Sequence, residues 1–174
     1  MSTTKPEYDV LFDEAAIAAR MNELGAEIAR DIDDGWTLVA LLQGAMPFAV
    51  DLMRALTRHG VNPVLDSLWL ESYRDARESA GRVVVRADLS RSIGGRRALI
   101  LDDVFDTGRT LAFARAHLLA KGAVEVRVCA AVRKPPAIGL PIEYVGLDAP
   151  NDFLIGYGMD DAGRYRGLPF IARV

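Results

Sequence analysis

The sequence predicts an α/β domain, a doubly wound and mainly parallel sheet flanked by helices, with a small irregular hood. Three observations carry this. Short continuous apolar runs, suited to strands buried on both faces, alternate with amphipathic stretches of helix length. The run from Leu99 to Thr110 passes from an apolar strand through paired acids and a small-residue turn into a helix. After Pro135 the alternation gives way to short apolar pieces broken by Gly139, Pro141, Gly146, Pro150, Gly156, Gly158, Gly163 and Gly167, which is the texture of a cap rather than a sheet.

Along the chain, Asp13 to Asp33 carries Ile17, Met21, Leu24, Ile28 and Ile32 at steps of three and four, the stripe of an amphipathic helix, with Gly35 to end it. Thr37 to Leu42 reads as a buried strand. Gly44 then gives a turn, and Pro47 to Arg58 a helix with proline in its first turn. Val64 to Leu70 and Arg82 to Leu89 read as strands, and the charged stretch Glu71 to Gly81 between them as a mobile lid. Ala98 to Leu101 and Val124 to Val132 are strands around the helix Thr110 to Lys121, which Gly122 stops, so this part is a βαβ unit.

A chain of 174 residues, 51% of them apolar, suits one domain with a three-layer core. The core is expected at about 35–133 and the hood from the N-terminal segment and about 134–174. A net charge of −3 excludes a non-specific nucleic-acid binder, which needs a basic footprint. The single cysteine, Cys129, lies in an apolar run, so no intrachain disulfide forms and a buried thiol is expected. Met1 to Tyr8 lacks the apolar core of a signal peptide, and no apolar stretch is long enough for a bilayer. A cytoplasmic protein without a membrane partner is the expectation. His59 and His117 fall in predicted helices with no partner spacing and are assigned no chemistry.

The chemistry concentrates in the Leu99 to Thr110 run. Asp102, Asp103 and Asp106 place three carboxylates within five positions, where they repel unless a cation, hydroxyls or donors satisfy them. Asp102 and Asp103 suit ribose hydroxyls. Asp106, Thr107, Gly108, Arg109 and Thr110 offer amides and hydroxyls at a helix start, where an anion is favoured. The alternative is a polar turn with Asp106 as an ordinary helix N-cap.

These residues resemble the 5-phosphoribosyl-1-pyrophosphate (PRPP) signature of the type I phosphoribosyltransferases: an apolar strand, two acids, two apolar residues and Asp-Thr-Gly-x-Thr. The resemblance implies that Asp102 and Asp103 hold the ribose and that Asp106, near the purine N7, is the general base. Further segments resemble the hypoxanthine-guanine branch of that family. Leu42-Gln43-Gly44-Ala45, followed by Phe48 and Asp51-Leu52, resembles its pyrophosphate loop, with Gln43 where lysine or arginine is usual. Ser72 and Tyr73 match a Ser-Tyr pair on its closing loop. Lys134 matches a lysine that donates to the C6 oxygen of the purine. The segment after it, Pro136-Ala137-Ile138-Gly139, is shorter than usual and lacks basic residues. In Tyr144 to Asp160 the resemblance implies that Phe153 stacks on the purine, that Leu154 bonds it through its backbone, and that Asp160 reaches Mg²⁺ with pyrophosphate. Arg166 matches an arginine near pyrophosphate. Read without the family, each of these has an ordinary alternative: a strand-to-helix turn at Gln43, an exposed loop at Ser72, a solvated Lys134, a core-packed Phe153, a solvated Asp160-Asp161 pair.

The resemblance therefore implies a Mg²⁺-dependent transfer of phosphoribose from PRPP to hypoxanthine or guanine, releasing pyrophosphate and a purine nucleotide, with Asp102, Asp103 and Asp160 at the metal. It implies a homodimer or homotetramer. The rivals are a PRPP- or nucleotide-binding regulatory protein of the same fold, and a transferase preferring xanthine or another modified 6-oxopurine.

Overall fold

The computed structural model describes residues 8–73, 82–135 and 141–174. Six strands form the main sheet: β2 (Trp36–Leu42), β3 (Val64–Tyr73), β4 (Arg82–Ala87), β5 (Arg97–Phe105), β6 (Glu125–Arg133) and β7 (Tyr144–Asp148). Their spatial order is β4-β3-β2-β5-β6-β7, parallel throughout except for the antiparallel edge strand β4. The chain works outward from β2 to β4, returns beside β2 as β5, and works outward the other way. The direction thus reverses between β2 and β5, the position where doubly wound sheets open a crevice beyond their strand ends.

Helices α1 (Glu14–Ile28) and α2 (Met46–Arg58) cover one face and α3 (Arg109–Ala120) the other. The strands serve both faces by alternation. Leu38, Leu99 and Leu101 pack with Met21, Leu24, Phe48 and Leu52, while Val39, Ile100 and Val128 pack with Leu111, Ala114 and Leu118. Asp13 caps α1, accepting from the Ala16 amide at 2.8 Å. The helix ends at Ile28, well before Gly35. The amides of Asp31 and Ile32 both donate to the Ile28 carbonyl, so the chain turns there and Ile32 is buried as the sequence implied, but outside the helix. Among the described residues, no helix is long and apolar enough to cross a membrane.

Three expectations need correction. β5 runs on to Phe105, so Asp102 and Asp103 lie within the strand, Asp102 opposite Ala130 of β6. β3 runs on to Tyr73, so Ser72 and Tyr73 belong to a strand, paired with Val83 and Arg82, and not to a loop; the predicted lid's 74–81 lies outside the described residues. β7 belongs to the main sheet, beside β6, so the sheet continues past Pro135. The hood is also more regular than its glycines suggested. It is an antiparallel sheet of β1 (Asp9–Phe12), β9 (Ile171–Arg173) and β8 (Leu154–Ile155), with Arg173 bonded to Asp9 at 2.7 Å.

Candidate active site

A cavity of about 680 Å³ opens where β2 and β5 diverge, at their carboxyl ends. Asp102 and Asp103 line it from β5, Gln43 and Gly44 from the turn after β2, and Asp106 to Thr110 from the turn into α3. Asp160 and Arg166 reach it from the hood side. The structure therefore gathers into one cavity every residue expected to bind ribose, 5-phosphate and pyrophosphate.

Asp102 and Asp103 are crowded. Burial, reinforced by the neighbouring Asp103, holds the Asp102 carboxyl well above the usual carboxylate range. Burial raises Asp103 as well, against the amide of Val104, which donates to it at 2.9 Å, and the nearby charge of Arg166. Two carboxylates in this state favour a ligand that brings hydroxyl donors or a cation.

Asp106 does not cap the helix. The capping position is Gly108 at φ +70°, which glycine adopts without steric cost, and no side chain among the described residues caps the first turn of α3. The first amides of α3 are left for an anion, and Asp106 stands exposed at the cavity wall with no capping duty.

On the hood side Asp160 is tied down twice, accepting from the Gly163 amide at 2.6 Å and pairing with Arg166 at 2.7 Å. Arg166 also donates to the Gly158 carbonyl at 2.6 Å. Gly44 is wedged between the two halves of the site, because a Cβ there would collide with the Asp103 carboxylate and a Cβ on Gly158 with the Gly44 carbonyl. The Leu42–Gln43 peptide is cis. Among the described residues no three acidic, histidine or cysteine side chains form a ready metal cluster, so Asp102, Asp103 and Asp160 share a cavity without being a preformed ligand set.

The expected purine residues are less closely assembled. The Lys134 amide donates to the Phe105 carbonyl at 2.9 Å, which sets Lys134 beside Asp106 at the end of the β5–β6 pair. Its side chain lines a separate, shallower recess with Arg133, Pro135, Asp148 and Ala149. Phe153 is 56% exposed, so it is not a core residue, while Leu154 is buried in β8. Neither lines the main cavity. The short segment after Lys134 falls at 136–140, outside the described residues. Trp69 and Glu71 of β3 also line the cavity and were not singled out from the sequence. Only the sheet order, which puts β3 next to β2, brings them there.

The sequence pattern of the family described as phosphoribosyl transferase domain matches residues 7–162. The chain belongs to the phosphoribosyltransferase family. It is 38% identical over 171 residues, 93% of this chain and 83% of the relative, to the hypoxanthine-guanine phosphoribosyltransferase of Mycobacterium tuberculosis. It is 34% identical over 175 residues, 98% of this chain and 97% of the relative, to the hypoxanthine phosphoribosyltransferase of Escherichia coli. A solved hypoxanthine phosphoribosyltransferase of Staphylococcus aureus superposes with a TM-score of 0.88 at 30% identity, covering 95% of this chain and 90% of that one. A point mutant of the Trypanosoma cruzi hypoxanthine phosphoribosyltransferase, complexed with the product IMP, superposes equally well, at 0.88 and 28% identity, over 100% of this chain and 93% of that one. The doubly wound sheet and hood are thus the fold of this family, and the protein is a transferase enzyme of purine salvage. The open start of α3, the crowded acids of β5 and Arg166 from the hood side meet in this one cavity.

Proposed function

We propose that this transferase moves 5-phosphoribose from PRPP to hypoxanthine or guanine, releasing pyrophosphate and IMP or GMP. The observation that carries this reading is the single cavity holding the Asp102–Asp103 pair, the Asp106–Thr110 turn, the Gln43–Gly44 turn and Arg166. The names of its relatives point to the same bases.

In this reading the free amides at the start of α3 and the hydroxyls of Thr107 and Thr110 seat the 5-phosphate, and Asp102 and Asp103 accept from the ribose hydroxyls. The Gln43–Gly44 backbone and the Arg166 guanidinium face the pyrophosphate, whose charge grows as the bond to the anomeric carbon breaks. Asp106, exposed and free of the helix cap, takes the proton from the purine as its nitrogen attacks, a contribution of about 10² to 10⁴ in rate. Lys134 donates to the C6 oxygen, so an amino group at C6 leaves donor facing donor and is rejected. Phe153 supplies an exposed ring for stacking, and Leu154 a backbone contact. Ser72 and Tyr73, on the β3–β4 hairpin, lie on the arm that closes over the reaction and keeps water from competing.

Mg²⁺ fits the donor set, because the raised proton affinity of Asp102 and Asp103 marks a pair that a cation relieves. Asp102, Asp103 and Asp160 would hold it, mostly through its waters. When bound it neutralises charge on the departing pyrophosphate. The regulatory alternative rests on the missing charge at Gln43 and on the short segment after Lys134; Arg166 supplies a cation in the same cavity as Gln43, and the segment at 136–140 lies outside the described residues. Substrates this highly charged do not cross membranes unaided, which supports a cytoplasmic enzyme. We propose a homodimer or homotetramer, for which exposed Met46 and Val50, one turn apart on α2, supply an apolar patch.

The test is nucleotide formation from PRPP, Mg²⁺ and each purine base in parallel. IMP or GMP formation is expected, with adenine inert. Product from no 6-oxopurine sinks the reading, and product from xanthine alone moves it to that base.

A further inference from the structure

Tyr157 occupies a backbone conformation that glycine would adopt more cheaply. Its φ is +48°, between Gly156 at +89° and Gly158 at +102°. A side chain in this region carries a steric penalty and persists where its surroundings hold it. What holds it is visible. The ring is 5% exposed and packs in the core beneath α1 and α2, and the hydroxyl donates to Asp51 of α2 at 3.0 Å. Burial, and then the Asp51 charge, push the phenol up, so it stays a donor. The second oxygen of Asp51 lies 3.7 Å from Arg54.

The two segments joined by this bond are the two that frame the pyrophosphate side. α2 begins at Met46, directly after the Gln43-Gly44-Ala45 turn, and the Met46 amide donates back to the Gln43 carbonyl at 3.3 Å. Tyr157 lies on the hairpin that carries Asp160 and Arg166, fastened by its own amide to the Leu168 carbonyl at 2.9 Å and by that of Gly158 to the Arg166 carbonyl at 3.0 Å. At Gly158, the next residue, a Cβ would collide with the Gly44 carbonyl, so the two backbones approach closely. Tyr157 and Asp51 do not line the main cavity. They line a second recess of about 410 Å³ on its far side, and Arg166 borders both.

We propose that Tyr157 and Asp51 are positioning residues: their hydrogen bond latches the 156–168 hairpin to α2, sets the spacing between the Gln43–Gly44 turn and Arg166, and so tunes affinity for the pyrophosphate group rather than for the purine. The inference rests on the pyrophosphate side being where the proposed function puts it. An alternative occupant of the tyrosine's role is core packing alone, which the ring would satisfy without its hydroxyl.

The test compares Tyr157→Phe, Asp51→Ala, their double variant and Asp51→Asn. It reads calorimetric affinity for Mg²⁺-PRPP and for Mg²⁺-pyrophosphate, KM for hypoxanthine, kcat and Tm. Tyr157→Phe is expected to weaken PRPP and pyrophosphate binding about five- to tenfold while KM for hypoxanthine stays within about twofold. Asp51→Ala should match it, and the double variant should be no worse than either single change, as expected for two ends of one bond. Asp51→Asn keeps an acceptor oxygen and should recover most of the affinity. Unchanged PRPP and pyrophosphate affinity overturns the latch, and so does a fall in all constants together with Tm, which is the mark of a merely structural bond. The calorimetric arm needs no turnover. Wild-type protein that binds PRPP but forms no nucleotide sinks the transferase reading while the variants still decide the latch; wild-type protein that binds neither PRPP nor pyrophosphate overturns both.

Discussion

At the amino ends of the strands, Asp33 accepts from Arg97 at 2.8 and 2.9 Å and from the Gly35 amide at 2.9 Å, Glu125 pairs with Arg127 at 2.8 Å, and Tyr144 bonds Asp31 and Arg127 at 2.7 and 2.9 Å. Arg97 and Arg127 also lie over the Trp36 ring, 5.3 and 4.9 Å from its centre. At the carboxyl ends, some five residues along the same strands, Asp102, Asp103 and Asp106 form no salt bridge among the described residues. Arg97 holds the Asp33 carboxyl below its usual range, whereas burial and crowding hold Asp102 above it. One edge settles its charges within the protein. The other leaves them for something that arrives, and groups so perturbed in a cleft are where chemistry is expected.

This contrast can be broken from either edge. Asp106→Asn should lower kcat by about 10² to 10⁴ with PRPP affinity and Tm nearly unchanged, measured by steady-state kinetics and calorimetry. Unchanged turnover would remove Asp106 from the reaction. Asp102→Asn relieves the crowded pair and should raise Tm by roughly 2–4 °C while cutting kcat/KM about tenfold or more. A lowered Tm would mean that the pair is satisfied within the fold after all. At the opposite edge, Arg127→Ala strips Trp36, Glu125 and Tyr144 of a shared partner. It should lower Tm by about 2–4 °C and leave kcat where it was. A loss of turnover there would show that the two edges are not independent. The smallest effect is expected for Gln43→Lys, a tightening of pyrophosphate by about two- to fivefold, since Arg166 already serves that wall. No change would mean that the turn binds through its backbone alone.

Much of this was legible in the sequence because the relevant signals are local. The strand, acids and turn of residues 99–110 are contiguous, and the stripe from Ile17 to Ile28 fixes the buried face of α1 without reference to anything distant. Where reading failed, the deciding contact was remote. β7 looks like a cap fragment until β6 is beside it, since Gly146 interrupts its short run and Pro141 stands just before it, and β1 has too few residues to announce a strand before β9 pairs with it. Asp102 and Asp103 look like a turn because aspartate is depleted in strands, yet the parallel partner β6 carries β5 on to Phe105. Trp69 carries no periodic or motif signal at all. Its place in the cavity follows from sheet order, which the sequence does not state. Lys134 and Phe153 were identified by family pattern, and the geometry gives them different standing: Lys134 is fixed beside Asp106 through Phe105, while Phe153 is simply exposed.

The chain contains two tryptophans, Trp36 at the amino end of β2 and Trp69 on β3 at the cavity beyond the carboxyl ends. Trp36 is 1% exposed and flanked by guanidiniums, whereas Trp69 is 41% exposed on the cavity wall. The protein thereby carries two optical reporters with separate loyalties. The emission of Trp36 follows the integrity of the fold, and that of Trp69 follows what enters the cavity, so a spectrum resolved into its two indoles would separate ligand arrival from unfolding without any added dye.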